Sequence, residues 1–201
     1  MQLLHPFVGS LQQYAAVLAD PDRYRPARCP QCDARQPLIA HGCYRRTLVD
    51  EGFDGIIRVR RYLCRSCRRT VSLLPEFILP FLRFSLSVIA RFLTRRLLEG
   101  GTLAAAARAA GQPAMPYQRG QGWVRRFLRQ AAAVAAALVA WTPVVPAPTV
   151  GIRALHMLST LGWMPAHRRL FAELRVHLLG WPASLAPAGR MATLRPVVAA
   201  G

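Results

Sequence analysis

Cys29-Pro30-Gln31-Cys32 and Cys64-Arg65-Ser66-Cys67 are two C-x-x-C segments separated by 31 residues, and they decide the fold of the chain around them. Each segment places two thiols on one tight turn. Two such turns brought together offer four thiolates in a tetrahedron, which is the arrangement of structural zinc sites. The sequence therefore predicts one structural Zn2+ ion held by Cys29, Cys32, Cys64 and Cys67, with no ligand position left open.

Thiolate ligands alone do not identify the metal, so an iron–sulfur cluster stays open as an alternative, as do disulfides or redox chemistry. The fifth cysteine, Cys43, and its neighbour His41 could also be considered as ligands. Two complete C-x-x-C turns leave no vacancy for them. We therefore expect Cys43 to be a small buried or half-buried hydrophobic residue.

The segment between the two cysteine pairs has the pattern of a β-hairpin. Residues 38–49 are β-prone around Gly42, residues 50–55 are rich in turn formers, and residues 56–63 alternate between apolar residues and arginine. A third short strand is expected at residues 70–74. Together these features predict a zinc ribbon over residues 23–76.

The charge balance favours a polyanionic partner. All 27 basic residues are arginine, against nine acidic residues, for a net charge of +18. Arginine presents a planar fork of donors that suits phosphate oxygens and guanine edges. A genome rich in G and C would also enrich arginine codons, so composition alone does not establish nucleic-acid binding.

After Pro80 the apolar residues change to a helical period. The pattern predicts a helix over 85–99 and a short helix over 103–110, with Thr102 as its N-cap and Gly111 ending it. A third helix is expected to begin near Pro116 and to run beyond Gln130. This order is typical of a helix-turn-helix unit, which we place at residues 81–141.

The polar half of the third helix is rich in arginine and glutamine and contains no acidic residue. These side chains pair bidentately with guanine and adenine in the major groove, although an arginine-rich face is often only a solvated surface. A second basic cluster flanks the second cysteine pair and could contact phosphates. The candidate DNA contacts are Gln118, Arg119, Gln121, Arg125, Arg126 and Arg129 in the helix, and Arg65, Arg68 and Arg69 in the ribbon.

The run from Arg61 to Pro75, following His41 to Arg46, resembles the zinc-ribbon heads of insertion-sequence transposases. With residues 76–80 included, it is most similar to an uncharacterised bacterial family of short zinc-ribbon plus helix-turn-helix proteins found among mobile elements. The resemblance covers about residues 20–130. It implies the same four zinc ligands and DNA contacts in the third helix. The catalytic half of such transposases needs a carboxylate triad, which this chain lacks the acidic residues to supply.

The two ends of the chain are predicted to be helical. Residues 1–22 have the pattern of one amphipathic helix, and residues 149–201 that of a C-terminal helical region that could be a lid, a dimerisation surface or a partner contact. His156, His167 and His177 lack a carboxylate partner and are expected to be ordinary histidines. The predicted fold class is therefore mainly α with a small β zinc ribbon, in the order N-terminal helix, ribbon, helix-turn-helix and C-terminal helices.

These patterns favour a non-catalytic, DNA-binding part of a bacterial transposable element. The alternatives are a stand-alone transcriptional regulator and a protein-interaction module with general nucleic-acid affinity. No nucleophile arrangement or phosphate-binding glycine loop suggests an enzyme. The expected partner is DNA. A transposase or integrase subunit and a second copy of the chain are further possible partners. No membrane or small-molecule partner is expected, and the expected location is the cytoplasm, on the nucleoid.

Overall fold

The computed structural model describes residues 1–7, 9, 11–18, 20 and 22–181. The last part of the predicted C-terminal region, residues 182–201, lies outside the described residues. In chain order the elements are β1 (Gln2–His5), α1 (Leu11–Val17), β2 (Leu38–Asp50), β3 (Phe53–Cys64), β4 (Thr70–Pro75), α2 (Leu86–Leu93), a π-helical segment (Thr94–Leu98), α3 (Leu103–Ala109), α4 (Tyr117–Leu138), α5 (Val150–Leu161) and α6 (Trp163–Ala172).

The four strands form one mixed sheet in the order β1-β4-β3-β2. β2, β3 and β4 are antiparallel neighbours, whereas β1 pairs in parallel with the outer edge of β4. The long β2–β3 hairpin closes through the two-residue turn Glu51-Gly52, where Gly52 has a φ of +70°. A bulge at His41 and Gly42 adds one residue to β2, and the positive φ of Gly42 suits the left-handed position of such a bulge.

The hairpin contributes to three apolar clusters, one of which contains Leu48 and Val59. Near the cysteines, Leu38, Tyr62, Val71 and Leu73 form a small cluster with the buried thiols. At the far end of β2, Val49 joins the large core of the helices. A 13-residue strand extends over about 40 Å, so the cysteines and the helices lie at opposite ends of the hairpin.

The helices follow the predicted order from α2 to α4. The side-chain oxygens of Ser85 and Thr102 accept hydrogen bonds from the third backbone N–H groups of α2 and α3, as N-caps do. Gly111 has a φ of +69° and ends α3 as predicted. α4 then packs along α5, so this helical unit is larger than a bare helix-turn-helix motif.

The prediction of a mainly α chain with an N-terminal helix is wrong. The chain begins with strand β1, and only residues 11–17 of the predicted helix 1–22 are helical, while residues 8, 10, 19 and 21 lie outside the described part. The sheet is also larger than a small ribbon, because β2 and β3 have 13 and 12 residues. The cause is long-range pairing, since residues 2–5 satisfy their backbone groups on the free edge of β4, about 70 residues away along the sequence.

α6 and the segment that follows it contact the linker between β4 and α2. The buried His167 and His177 lie with Nε2 at 3.2 Å and 2.9 Å from the carbonyl oxygens of Ile78 and Pro80. Arg168 pairs with the buried carboxylate of Glu76 at 2.6 Å. Within the predicted C-terminal helical region, α6 ends at Ala172, and the chain then turns at Arg175, whose φ is +56°.

Candidate metal centre and candidate nucleic-acid surface

The four predicted ligands lie together at the cysteine end of the hairpin. Their Sγ atoms are all within 4.8 Å of one another, with Cys29 3.8 Å from Cys67 and Cys32 3.7 Å from Cys64. A tetrahedral site with zinc–sulfur bonds of about 2.3 Å has sulfur–sulfur edges of about 3.8 Å. Disulfides would need sulfur atoms about 2.05 Å apart. The four thiols therefore fit one metal ion, and all four are free.

The two C-x-x-C turns repeat the same backbone geometry. In the first turn the N–H of Cys29 donates to the Ala34 carbonyl at 3.0 Å, and the N–H of Asp33 donates to the Cys29 carbonyl at 2.9 Å. The second turn repeats both hydrogen bonds at positions 35 residues later, between Cys64 and Arg69 and between Arg68 and Cys64. Asp33 and Arg68 both adopt a positive φ, of 55° and 59°. The local sequence thus folds each half of the site in the same way.

One thiol of the centre is tuned toward its metal-binding form. The backbone N–H of Cys67 lies 3.5 Å from Cys64 Sγ, and this hydrogen bond is the main reason that the pKa of Cys64 is below its usual value. The thiolate, rather than the thiol, is the form that a metal ion binds. At Cys32 the backbone hydrogen bond with Ala34 lowers the pKa, but burial and hydrogen bonds with the other three thiols outweigh it and raise the pKa to about 11. The backbone thus stabilises the thiolate of Cys64 in particular.

Cys43 and His41 lie outside this centre. Cys43 is half-buried in β2, as expected, and His41 is exposed in the bulge. Neither contributes to the cluster of four sulfur atoms.

The ribbon arginines surround the second turn. Arg65, Arg68 and Arg69 are all exposed. Arg69 Nη1 donates to Gln31 Oε1 at 3.1 Å, which joins the two cysteine turns across the site. These residues form a basic rim on the metal centre.

The structure divides the six candidates of α4 into two groups. Gln118, Gln121, Arg125 and Arg129 recur at helical spacing and face solvent, with Gln121 half-buried and the others exposed. We call these four residues the α4 stripe. The buried face of the same helix carries Trp123 and Phe127.

Arg119 and Arg126 belong to the flank of α4 and have other neighbours. Arg126 Nε and Nη2 donate to the carbonyl oxygens of Leu179 and Gly180 at 2.7 Å and 3.0 Å. Burial lowers the pKa of Arg126, and the charge of Arg129 adds to this effect. The Arg119 guanidinium lies 5.3 Å from the centroid of the Phe84 ring. Sequence periodicity alone did not separate these two arginines from the stripe.

The positive charge of α4 is not compensated by ion pairs among the described residues. In the described part of the chain six arginine–carboxylate pairs form, and none of them involves α4. α4 carries four arginines and no acidic residue. Positive charge is therefore concentrated along this helix.

None of the helices in the described part has the length and apolar content to cross a membrane.

Comparisons with known proteins give one match, which is to a protein-family model. No curated protein and no solved structure matches the chain. A protein-family model does match, over residues 29–109, and its description is "Domain of unknown function (DUF6431)". The matched segment begins at the first cysteine of the metal centre and ends with α3, so this part of the chain is similar to that family.

Proposed function

We propose that the chain is a non-catalytic DNA-binding protein in which a structural zinc ion supports the ribbon and α4 reads base edges. The α4 stripe carries this proposal. Its two glutamines and two arginines are the side chains suited to bidentate contacts with adenine and guanine. Among the described residues no carboxylate pairs with either arginine, so the stripe offers positive charge to an incoming polyanion.

The preceding helices support the same role. α3 and the turn at residues 110–116 precede α4, which is the order in which a helix-turn-helix unit presents its recognition helix. Gly120 lets α4 approach Phe92 of α2 closely. The stripe is thus held on a packed helical unit, which keeps reading side chains in place.

Zinc is the metal that we propose for the cysteine centre. Four thiolates in a closed tetrahedral shell suit Zn2+, which has no geometric preference from its d electrons and needs no electron-transfer partner. Bound there, the ion would supply folding free energy to the small cysteine-side cluster.

A role in a mobile element is the finer part of the proposal. It rests on the resemblance of residues 41–46 and 61–75 to the zinc-ribbon heads of insertion-sequence transposases. The chain would then mark a DNA site, while a transposase or integrase subunit performs the chemistry. A gene for such an enzyme or terminal inverted repeats beside the coding sequence would support this role. Selective binding to the chain's own promoter without such neighbours would instead favour a transcriptional regulator.

Selection of bound sequences from a random pool of duplex DNA tests the DNA-binding proposal. We expect the wild-type protein to enrich a defined motif, and Arg125→Ala or Gln121→Ala to lose discrimination at one position each. A good bidentate contact contributes about 1–3 kcal/mol to base discrimination. Arg45→Ala is the matched control, because Arg45 is an exposed arginine on β2. Failure of the wild-type protein to bind DNA, or unaltered motifs in both α4 variants, would refute the proposal.

A further inference from the structure

We infer that an open groove beside the α4 stripe seats the DNA sugar-phosphate backbone that borders the major groove. The groove has a volume of about 660 Å³ and lies between residues 81–84 and the first turns of α4. This inference rests on the proposed function. It adds a second contact region, in which Arg83 and Arg119 hold phosphate while the stripe reads bases.

The groove presents two guanidinium groups in a fixed arrangement. Arg83 and Arg119 each lie 5.3 Å from the centroid of the Phe84 ring. Phe84 is itself buried and packs edge-on against Trp123 at 4.8 Å. A guanidinium that lies over an aromatic ring keeps N–H donors in its own plane, and these suit phosphate oxygens. Phe84 thus positions both cations.

The electrostatics of the groove favour an anion. Arg83, Arg119 and Arg126 line the groove, and none of the described residues that line it is a carboxylate. Arg83 has an exposed neighbour, Asp54, at 3.4 Å, and exposed pairs of this kind contribute little. Arg126 adds positive charge, although two of its N–H donors already bind the carbonyl oxygens of Leu179 and Gly180.

The wall opposite α4 is held by the sheet. Arg46 Nη2 donates to the carbonyl oxygens of Leu79 and Leu82 at 2.7 Å and 2.5 Å. The N–H of Val49 donates to the Arg83 carbonyl at 2.7 Å. The segment that carries Arg83 is therefore fixed before DNA arrives, which lowers the entropic cost of binding.

Gly122 is an independent sign of a close ligand. It lies in the interior of α4, where glycine is unfavourable, yet a Cβ atom there would meet nothing within 4 Å. Gly120 differs, because a Cβ atom there would lie 2.7 Å from Phe92. Packing within the described chain thus explains Gly120 but not Gly122, which lines the groove. A backbone without a side chain at this point lets a DNA strand approach the helix closely.

Phe81 provides an apolar edge for the sugar. It is 38% exposed and has a φ of +63°, a conformation that is costly for a bulky residue. Gln118 belongs both to the groove lining and to the α4 stripe. The two surfaces are therefore continuous, so one duplex can contact both.

The decisive experiment neutralises DNA phosphates one at a time with methylphosphonate in the selected duplex. We expect wild-type affinity to fall when one or two particular phosphates are neutralised, and this loss to disappear in Arg119→Ala or Arg83→Ala. The slope of log K against log salt should also fall by about 0.9 for each phosphate contact removed. Arg125→Ala should keep the phosphate effect while losing base discrimination, and Arg45→Ala should keep both.

Gly122→Ala provides a second test, in which weaker binding caused by misfolding can be recognised because misfolding would lower the Tm. The added methyl should raise the Tm, because alanine favours the helix, and should nevertheless weaken duplex binding by blocking the groove. A raised Tm with unchanged affinity would overturn the inference. So would phosphate effects that persist in both arginine variants while Arg125→Ala still loses discrimination, and the proposed function would then stand. Absence of duplex binding by the wild-type protein would remove the proposed function itself.

Discussion

Cys64 and Cys43 both lie on the β2–β3 hairpin, yet only Cys64 is part of the thiol cluster. Cys64 ends β3 at the start of a tight turn in which the Cys67 N–H donates to its sulfur. Cys43 lies within β2, just past the bulge and opposite Arg60. The difference is one of backbone position, because both residues offer the same chemistry.

We therefore expect opposite results from two serine substitutions. Cys64→Ser should remove one of four ligands and abolish stable metal binding, since a structural site needs its full shell. Cys43→Ser should retain one metal ion per chain. Metal analysis of protein purified without chelator measures both. Full metal content in Cys64→Ser, or its loss in Cys43→Ser, would contradict this assignment.

His167 and His177 make stability depend on pH. Burial lowers the pKa of His167 to about 3 and that of His177 to about 4, from 6.5. Leu179 N–H donates to His177 Nδ1 at 3.1 Å, so this nitrogen must remain unprotonated in the fold. Below pH 6.5 the unfolded chain binds protons that the folded chain does not, so stability falls toward pH 3 to 4 and is fully present above 6.5.

Denaturant unfolding between pH 7.5 and 4 measures this dependence. Each buried histidine should contribute up to about 1.4 kcal/mol per pH unit, and His177→Gln should make the decline shallower. His156→Gln is the control, because His156 is exposed and its loss should leave the curve unchanged. Protonation of the metal ligands affects all three proteins alike. An equal pH slope in His177→Gln and wild type would contradict the assignment.

At the scale of elements, α4 has two roles along its length. Its first turns carry the stripe and the groove, whereas its later residues Ala131, Val134 and Leu138 pack into the helical core. The polar and apolar faces follow the same 3.6-residue period throughout. The buried face, with Trp123 and Phe127, thus anchors the N-terminal half of the helix as well, and only the opposite face of that half is offered to solvent.

The two glycines of α4 should respond in opposite directions to alanine. Gly120→Ala forces a Cβ atom against the fully buried Phe92 ring and should cost about 1–3 kcal/mol by overpacking. Gly122→Ala meets open space and should stabilise the fold by about 0.5–1 kcal/mol. Urea unfolding of both variants measures the difference. Changes of the same sign would show that the α2–α4 packing differs from that described.

At the scale of the whole molecule, the metal centre and the helices rest on different cores. The cysteine-side cluster contains two of the ligands, Cys29 and Cys64. The helical core contains no cysteine among its described members. All four tryptophans of the chain, at positions 123, 141, 163 and 181, lie on the helical side.

Metal removal should therefore unfold one end of the molecule first. A chelator should abolish amide exchange protection near Tyr62 and Val71, because these residues pack directly against the thiols. Tryptophan emission and most helical circular dichroism should remain. A red shift of tryptophan emission that accompanies the loss of amide exchange protection in the sheet would instead indicate that the whole molecule unfolds as one cooperative unit.

The sequence by itself determined the features that depend on a few consecutive residues. The C-x-x-C turns, the hairpin with its Gly52 turn, the Thr102 cap and the Gly111 stop are set by local hydrogen bonds and by the φ values that glycine permits. The tertiary structure decided what depends on partners far along the chain. β1 is a strand because β4 offers a free edge, and Arg126 is held by carbonyls 53 and 54 residues away. Such distant groups are absent from any local window of sequence, so periodicity could not separate Arg126 from the stripe or bring Arg83 to the groove.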